Sequence, residues 1–131
     1  MTRINVVPVE ELSDQWLIAE YRELPRALKG NASLVNAPDS YVLGKGHVKW
    51  AKKHAFYLNN RMDKLVQEMV YRGFKPKFSA DLSPYITKDM NNDYIVNSTD
   101  LNTNKTRLIY KYNKKPAFYR WTKRSKPDYL K

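Results

Sequence analysis

Between Glu10 and Leu28 the apolar residues Leu12, Leu17, Tyr21, Leu24 and Leu28 recur at spacings of three to five, which gathers them on one face of an amphipathic helix. Ser13 or Asp14 can supply the capping oxygen at its start. Pro25 lies inside the pattern and has no N–H to offer the Tyr21 carbonyl, so a kink is expected there. Leu58, Met62, Leu65, Val66, Met69 and Val70 restore the helical spacing and predict a second helix over about 53–72. Gly73 followed by Phe74 suits its end, because glycine enters the left-handed region freely and the apolar residue after it can fold back. Leu101, Lys105, Leu108, Ile109 and Tyr112 mark a third helix, capped near Asn97 to Thr99 and finished before Pro116. Residues 29–47, with Gly30, Pro38, Gly44 and Gly46, and residues 75–97, with Pro76, Pro84 and Asn91-Asn92-Asp93, lack the alternation of strands and read as long connections. The expected fold is all-α: a single compact domain, residues 1–131, of about three helices with long loops.

Composition adds a partner. The chain's 42% hydrophobic content, with ten tyrosines and three tryptophans, is enough for one modest core. Its net charge of +11 exceeds what solubility requires and favours a polyanion such as nucleic acid, with an anionic membrane surface as the competing partner. No stretch approaches the roughly 20 apolar residues that span a bilayer, and the first residues lack the basic-then-apolar order of a secretory signal, so a cytoplasmic protein is expected. Cysteine is absent, which excludes disulfides and thiolate chemistry. With His47 and His54 the only histidines, a His-rich metal site is not expected, and no cofactor is. Catalysis would then fall to oxygen or nitrogen groups, or to a carboxylate-held metal. His47, in LGKGHV, reads as a hydrogen-bonded structural histidine.

Two clusters could carry chemistry. On the first helix Arg22 and Arg26 share a face, and Trp16, Glu20 and Glu23 form an adjoining stripe that meets it around Glu23 and Arg26. One reading is an exposed helix with a Glu23–Arg26 pair worth a few tenths of a kcal/mol. The other is a phosphate clamp of arginines around a carboxylate that handles protons. In the tail, Lys111, Lys114, Lys115, Tyr119, Arg120, Trp121, Lys123, Arg124 and Lys126 alternate cations with rings. That mixture suits a surface that tracks a nucleic-acid backbone, or a solvated basic end whose aromatics anchor it to the core.

MTRINVVPVEELSDQWLIAEYRELPRAL, LGKGHV, YRGF and TRLIYKYNKKPAFYRW, in that order, resemble the pyrimidine-dimer DNA glycosylase/abasic-site lyase family found in T-even phages, most closely over the first 26 positions. The resemblance implies a compact helical fold whose N-terminal segment threads between helices, acting as a monomer on double-stranded DNA that carries a lesion. It also implies that the nucleophile is the α-amine of Thr2, exposed once Met1 is removed. An α-amine of pKa about 7.7–8.0 is roughly a tenth unprotonated at pH 7, against well under a thousandth for a lysine. On the family pattern this amine attacks C1′ of the damaged nucleotide, displaces the base and leaves an imine, while Glu23 stabilises charge and shuttles protons through β-elimination. Arg22 and Arg26 match damage-site arginines. Arg3, Gln15, Trp16, Arg107 and Lys111 fall on DNA-contact positions, and Phe118, Tyr119, Arg120 and Trp121 on a segment implicated in damage recognition. The expected substrate is the UV-induced cis-syn cyclobutane pyrimidine dimer; the same chemistry on another base, and a silent DNA-binding module, are the alternatives. Three departures bear on this: Trp16 stands where the family has a histidine, the 29–43 connection is short, and the KRSKPDYLK tail differs.

Overall fold

The computed structural model describes residues 4–77 and 80–131, and these contain four α-helices and no strand: α1 (Asp14–Lys29), α2 (His47–Lys53), α3 (Ala55–Tyr71) and α4 (Ser98–Lys114). The fold is all-α, as expected, with one helix more than the periodicity suggested. α1 begins at Asp14, where the expected cap at Ser13 or Asp14 places it; Val9–Glu11 form a separate 3-10 turn before it and Leu12 is extended. Ser13 caps it, its Oγ accepting from the Trp16 N–H at 3.1 Å. α1 then runs without a break through the buried Pro25.

α2 escaped the sequence reading because its seven residues hold too few turns for a period to show; its buried residues are His47, Trp50 and Ala51. Lys53 belongs to this helix, and only His54, with non-helical φ/ψ, separates it from α3. α3 ends as expected. Gly73 has φ +91°, its N–H reaches the Val70 carbonyl at 3.0 Å, and the Phe74 N–H reaches Met69 at 2.9 Å, the paired bonds of a Schellman stop. α4 opens with a capping box in which the Asn97 side chain and the Asp100 side chain each take the other's backbone N–H.

α1 packs chiefly on α3 and α2, enclosing Leu17, Leu24, Leu28, Trp50, Leu58, Met62 and Leu65. Buried within this layer is the segment Ile4–Val7, whose backbone is hydrogen-bonded by one side chain from every helix. Glu20 of α1 accepts from Asn5 N at 3.2 Å, and His47 of α2 from Ile4 N at 2.9 Å. Arg61 of α3 donates to the Val7 carbonyl at 2.9 Å, and Asn104 of α4 accepts from Val6 N at 2.7 Å and Val7 N at 3.1 Å. Buried backbone groups with no neighbouring strand must be satisfied this way or lose about 1–3 kcal/mol each. The N-terminal segment therefore threads between the helices.

The tail returns to the start of α1. Asp14 N donates to the Arg120 carbonyl at 2.7 Å, Thr122 Oγ1 donates to Asp14 at 2.6 Å, and Trp121 Nε1 donates to the Glu11 carbonyl at 2.9 Å. Arg124 closes the junction on Glu68 of α3 at 2.9 Å, and Glu68 also holds the buried Arg72, which reaches Asp14 at 3.0 Å.

Candidate active site

A cavity of about 190 Å³ opens where the start of the chain, α1 and α4 meet. α1 contributes Trp16, Glu20 and Glu23, one stripe of the helix at spacings of four and three. α4 contributes Arg107, Leu108 and Lys111 from the facing wall, and Ile4, Asn5, Tyr41 and Leu43 complete it.

The two carboxylates differ in role because they differ in surroundings. Glu20 is buried and consumed by structure: its oxygens take the guanidinium of Arg61 and both Asn5 donors, the side-chain amide at 2.9 Å. Glu23, one turn further on, lines the cavity with a side chain 28% exposed and is met at 3.3 Å by Arg26, whose own side chain is 72% exposed. Glu23 thus keeps access to whatever enters the cavity, whose lining also holds Arg107 and Lys111 of α4. Burial, helped by the negative charge of Glu20, holds the Tyr41 phenol well above its ordinary pKa, so it remains a donor, to the Ile4 carbonyl at 2.8 Å.

Trp16 is a buried wall of the cavity, and the tail is stacked on its far side. Tyr119 lies 4.5 Å from it, centroid to centroid, and Trp121 6.2 Å away edge-on. Tyr119 and Trp121 are half-buried anchors, while Phe118 and Arg120 stay exposed. Gln15 spends its side-chain oxygen on the Arg120 N–H at 3.1 Å, so it ties the tail down. Arg22 is exposed and does not line this cavity; it borders a neighbouring hollow with Tyr21, Phe74, Lys75 and Lys77. Thr2 and Arg3 lie outside the described residues.

The geometry thus brings together Trp16, Glu23, Arg107 and Lys111, and sets Arg22 on a flank. Sequence reasoning missed Asn5, Tyr41, Arg61 and Asn104, and it gave Glu20 no partner. A signal was there to find: Glu20, Arg61 and Asn104 are polar residues that each have a leucine three positions before and four positions after, Leu17 and Leu24, Leu58 and Leu65, Leu101 and Leu108, and burial on such a face forces a polar residue to pair. Among the described residues no three or more His, Asp or Glu side chains converge as a metal site would need. No helix of the described residues is long and apolar enough to cross a membrane. The family model for pyrimidine dimer DNA glycosylase matches residues 1–82, which include the α1 stripe, Asn5, Tyr41, His47 and Arg61, and end before α4.

Proposed function

The chain belongs to the pyrimidine dimer DNA glycosylase family, and we propose that it excises cis-syn cyclobutane pyrimidine dimers from double-stranded DNA and then cuts the strand as an abasic-site lyase. The Thr2 α-amine attacks C1′ of the damaged nucleotide and the base leaves with the electrons of the glycosidic bond. Ring opening gives an imine. Loss of a C2′ proton then expels the 3′ phosphate, and water releases the enzyme. Glu23 stabilises the positive charge that develops on the sugar and relays the protons. Arg107 and Lys111 of the cavity lining, Arg26 paired with Glu23, and Arg22 and Arg3 hold the phosphates of the deformed duplex. Gln15 and the Tyr119-Arg120-Trp121 segment support the lesion side, and the chain acts as a monomer and as one domain, residues 1–131.

The observation that carries this reading is the cavity itself: an accessible carboxylate, Glu23, shares its lining with two cations, Arg107 and Lys111, and with Ile4 near the chain start. Covalent geometry keeps the Thr2 amine within roughly 7 Å of the Ile4 nitrogen. Positive neighbours favour the free amine by penalising its charged form. Trp16 supports a second reading, the same chemistry on another damaged base, because indole offers a donor and a stacking face where imidazole would also accept.

The test is borohydride trapping on abasic duplex in the presence of EDTA, with intact mass confirming removal of Met1. A covalent adduct is expected, and its absence would reject the lyase chemistry. Glu23→Gln is expected to abolish base excision while leaving lesion binding in place; loss of binding with unchanged turnover per complex would reject its role. Incision of a duplex panel carrying a cis-syn dimer, an abasic site and several modified bases separates the two substrate readings.

A further inference from the structure

We propose that His47 is a positioning residue for the N-terminal nucleophile: it fixes the register of the chain start by accepting the Ile4 N–H. The inference rests on the reading of the Thr2 amine as nucleophile. His47 Nδ1 lies 2.7 Å from the Val42 carbonyl, and a carbonyl can only accept, so Nδ1 carries the proton. The lone pair is thereby left on Nε2, which faces the Ile4 N–H at 2.9 Å. Val42 thus sets the tautomer, and the tautomer sets the contact. The other polar group of Ile4, its carbonyl, is taken by the Tyr41 hydroxyl at 2.8 Å. Tyr41 in the connection and His47 at the start of α2 are only six residues apart, so residues 41–47 hold Ile4 by both of its backbone polar groups.

The LGKGHV stretch is built to deliver this histidine. Gly44 and Gly46 have φ of +73° and +89°, and the turn they make closes with the His47 N–H on the Gly44 carbonyl at 3.1 Å. A Cβ on Gly46 would sit 3.0 Å from the Pro38 ring in addition to its strained φ. The ring is then fixed by stacking on Trp50 and by the edge of Tyr41. Ile4 and His47 are each only 1% exposed, so water cannot substitute for the lost acceptor. With two residues between the clamp and the amine, a shift of Ile4 is passed to the nucleophile, and a misplacement of about 1 Å costs a reaction roughly 100-fold.

Two amides separate positioning from packing. In His47→Gln the amide oxygen stands where Nε2 was and can accept from Ile4, whereas in His47→Asn the amide nitrogen stands where Nδ1 was and can serve only Val42. Each is made in the full chain, with loss of Met1 verified by mass, and assayed for single-turnover borohydride trapping on abasic duplex. Equilibrium binding of the same duplex and hydrogen exchange of the Ile4 amide are measured alongside. His47→Gln is expected to trap at close to the parent rate with Ile4 protected. His47→Asn is expected to trap about 100-fold more slowly, with binding unchanged and Ile4 exchange accelerated. Equal losses in both variants, or the parent rate in His47→Asn, would overturn the proposal. No adduct from the parent chain would reject the amine reading itself, and the role of His47 with it.

Discussion

At the N-terminal end, Glu20 and Arg61 meet inside the protein, both side chains almost wholly buried, and between them satisfy Asn5 and the Val7 carbonyl. At the C-terminal end, Glu68 and Arg72 are equally buried, but their link to the tail, Arg124, has a side chain 33% exposed. The same chemistry therefore works in two media. A sealed pair contributes little net stability over an apolar pair, yet breaking it is costly, so it holds a segment in one register. A link that reaches water is screened and can be remade, which suits a tail that has to meet a large charged partner. The end of the chain that would carry the nucleophile has the sealed anchor, and the end that lies over the cavity wall has the open one.

Four changes test that contrast, in falling order of effect. Arg61→Met should destabilise the fold by about 3–5 kcal/mol by leaving Glu20 buried without its cation, read as a lower denaturation midpoint in urea. Adding Glu20→Gln should restore part of the loss, since an amide oxygen still accepts from Asn5; no recovery would mean that the charge was not the problem.

Glu68 gives the second test through pH. Burial pushes its carboxyl up, but the hydrogen bonds and charges of Arg124 and Arg72 outweigh this and hold it below its ordinary value of 4.5. A carboxylate depressed in the folded state stabilises the fold above its unfolded pKa, and that contribution is lost as pH falls through the folded value. Stability should thus decline below about pH 4.5, and Glu68→Gln, less stable at neutral pH, should show a shallower decline over that range. Parallel curves would remove Glu68 as the acid-sensitive group.

Arg124→Ala should cost only about 1 kcal/mol but should loosen the tail from Trp16, seen as a red-shifted tryptophan emission and faster proteolysis after residue 114. If the tail stayed protected, the Asp14–Thr122 and Gln15–Arg120 contacts would be the true anchor. The smallest effect on stability belongs to Arg26→Ala, within about 0.5 kcal/mol because its pair with Glu23 is exposed. Its expected effect is on DNA: a salt dependence of binding shallower by about one unit of slope. An unchanged slope would remove Arg26 from the phosphate contacts.

The chain displayed its fold through local rules. Ser13, the Asn97/Asp100 box and the Gly73-Phe74 stop each act within a few residues, so their chemistry can be read along the sequence. Glu23, Trp16, Arg107 and Lys111 were legible as candidates because their residue types suit the chemistry and the order of motifs matches a family. α2 was not legible, since seven residues make too few turns to show a period. Gln15 and Arg22 were candidates as well, but their surroundings could not be read along the chain, since these depend on where the tail and the 74–77 stretch come to lie.

By itself, then, the sequence determined the helical class, three of the four helices, the family and the list of polar residues that have to be used somewhere. Only the tertiary structure decided which carboxylate was used up and which remained available. Glu20 and Glu23 are three residues apart on one stripe, but Glu20 meets Arg61, 41 residues away, and Asn5, itself tied to Asn104 across 99 residues. Periodicity reports which face a residue occupies, while its partner depends on how the faces dock, and burial then makes that partner obligatory.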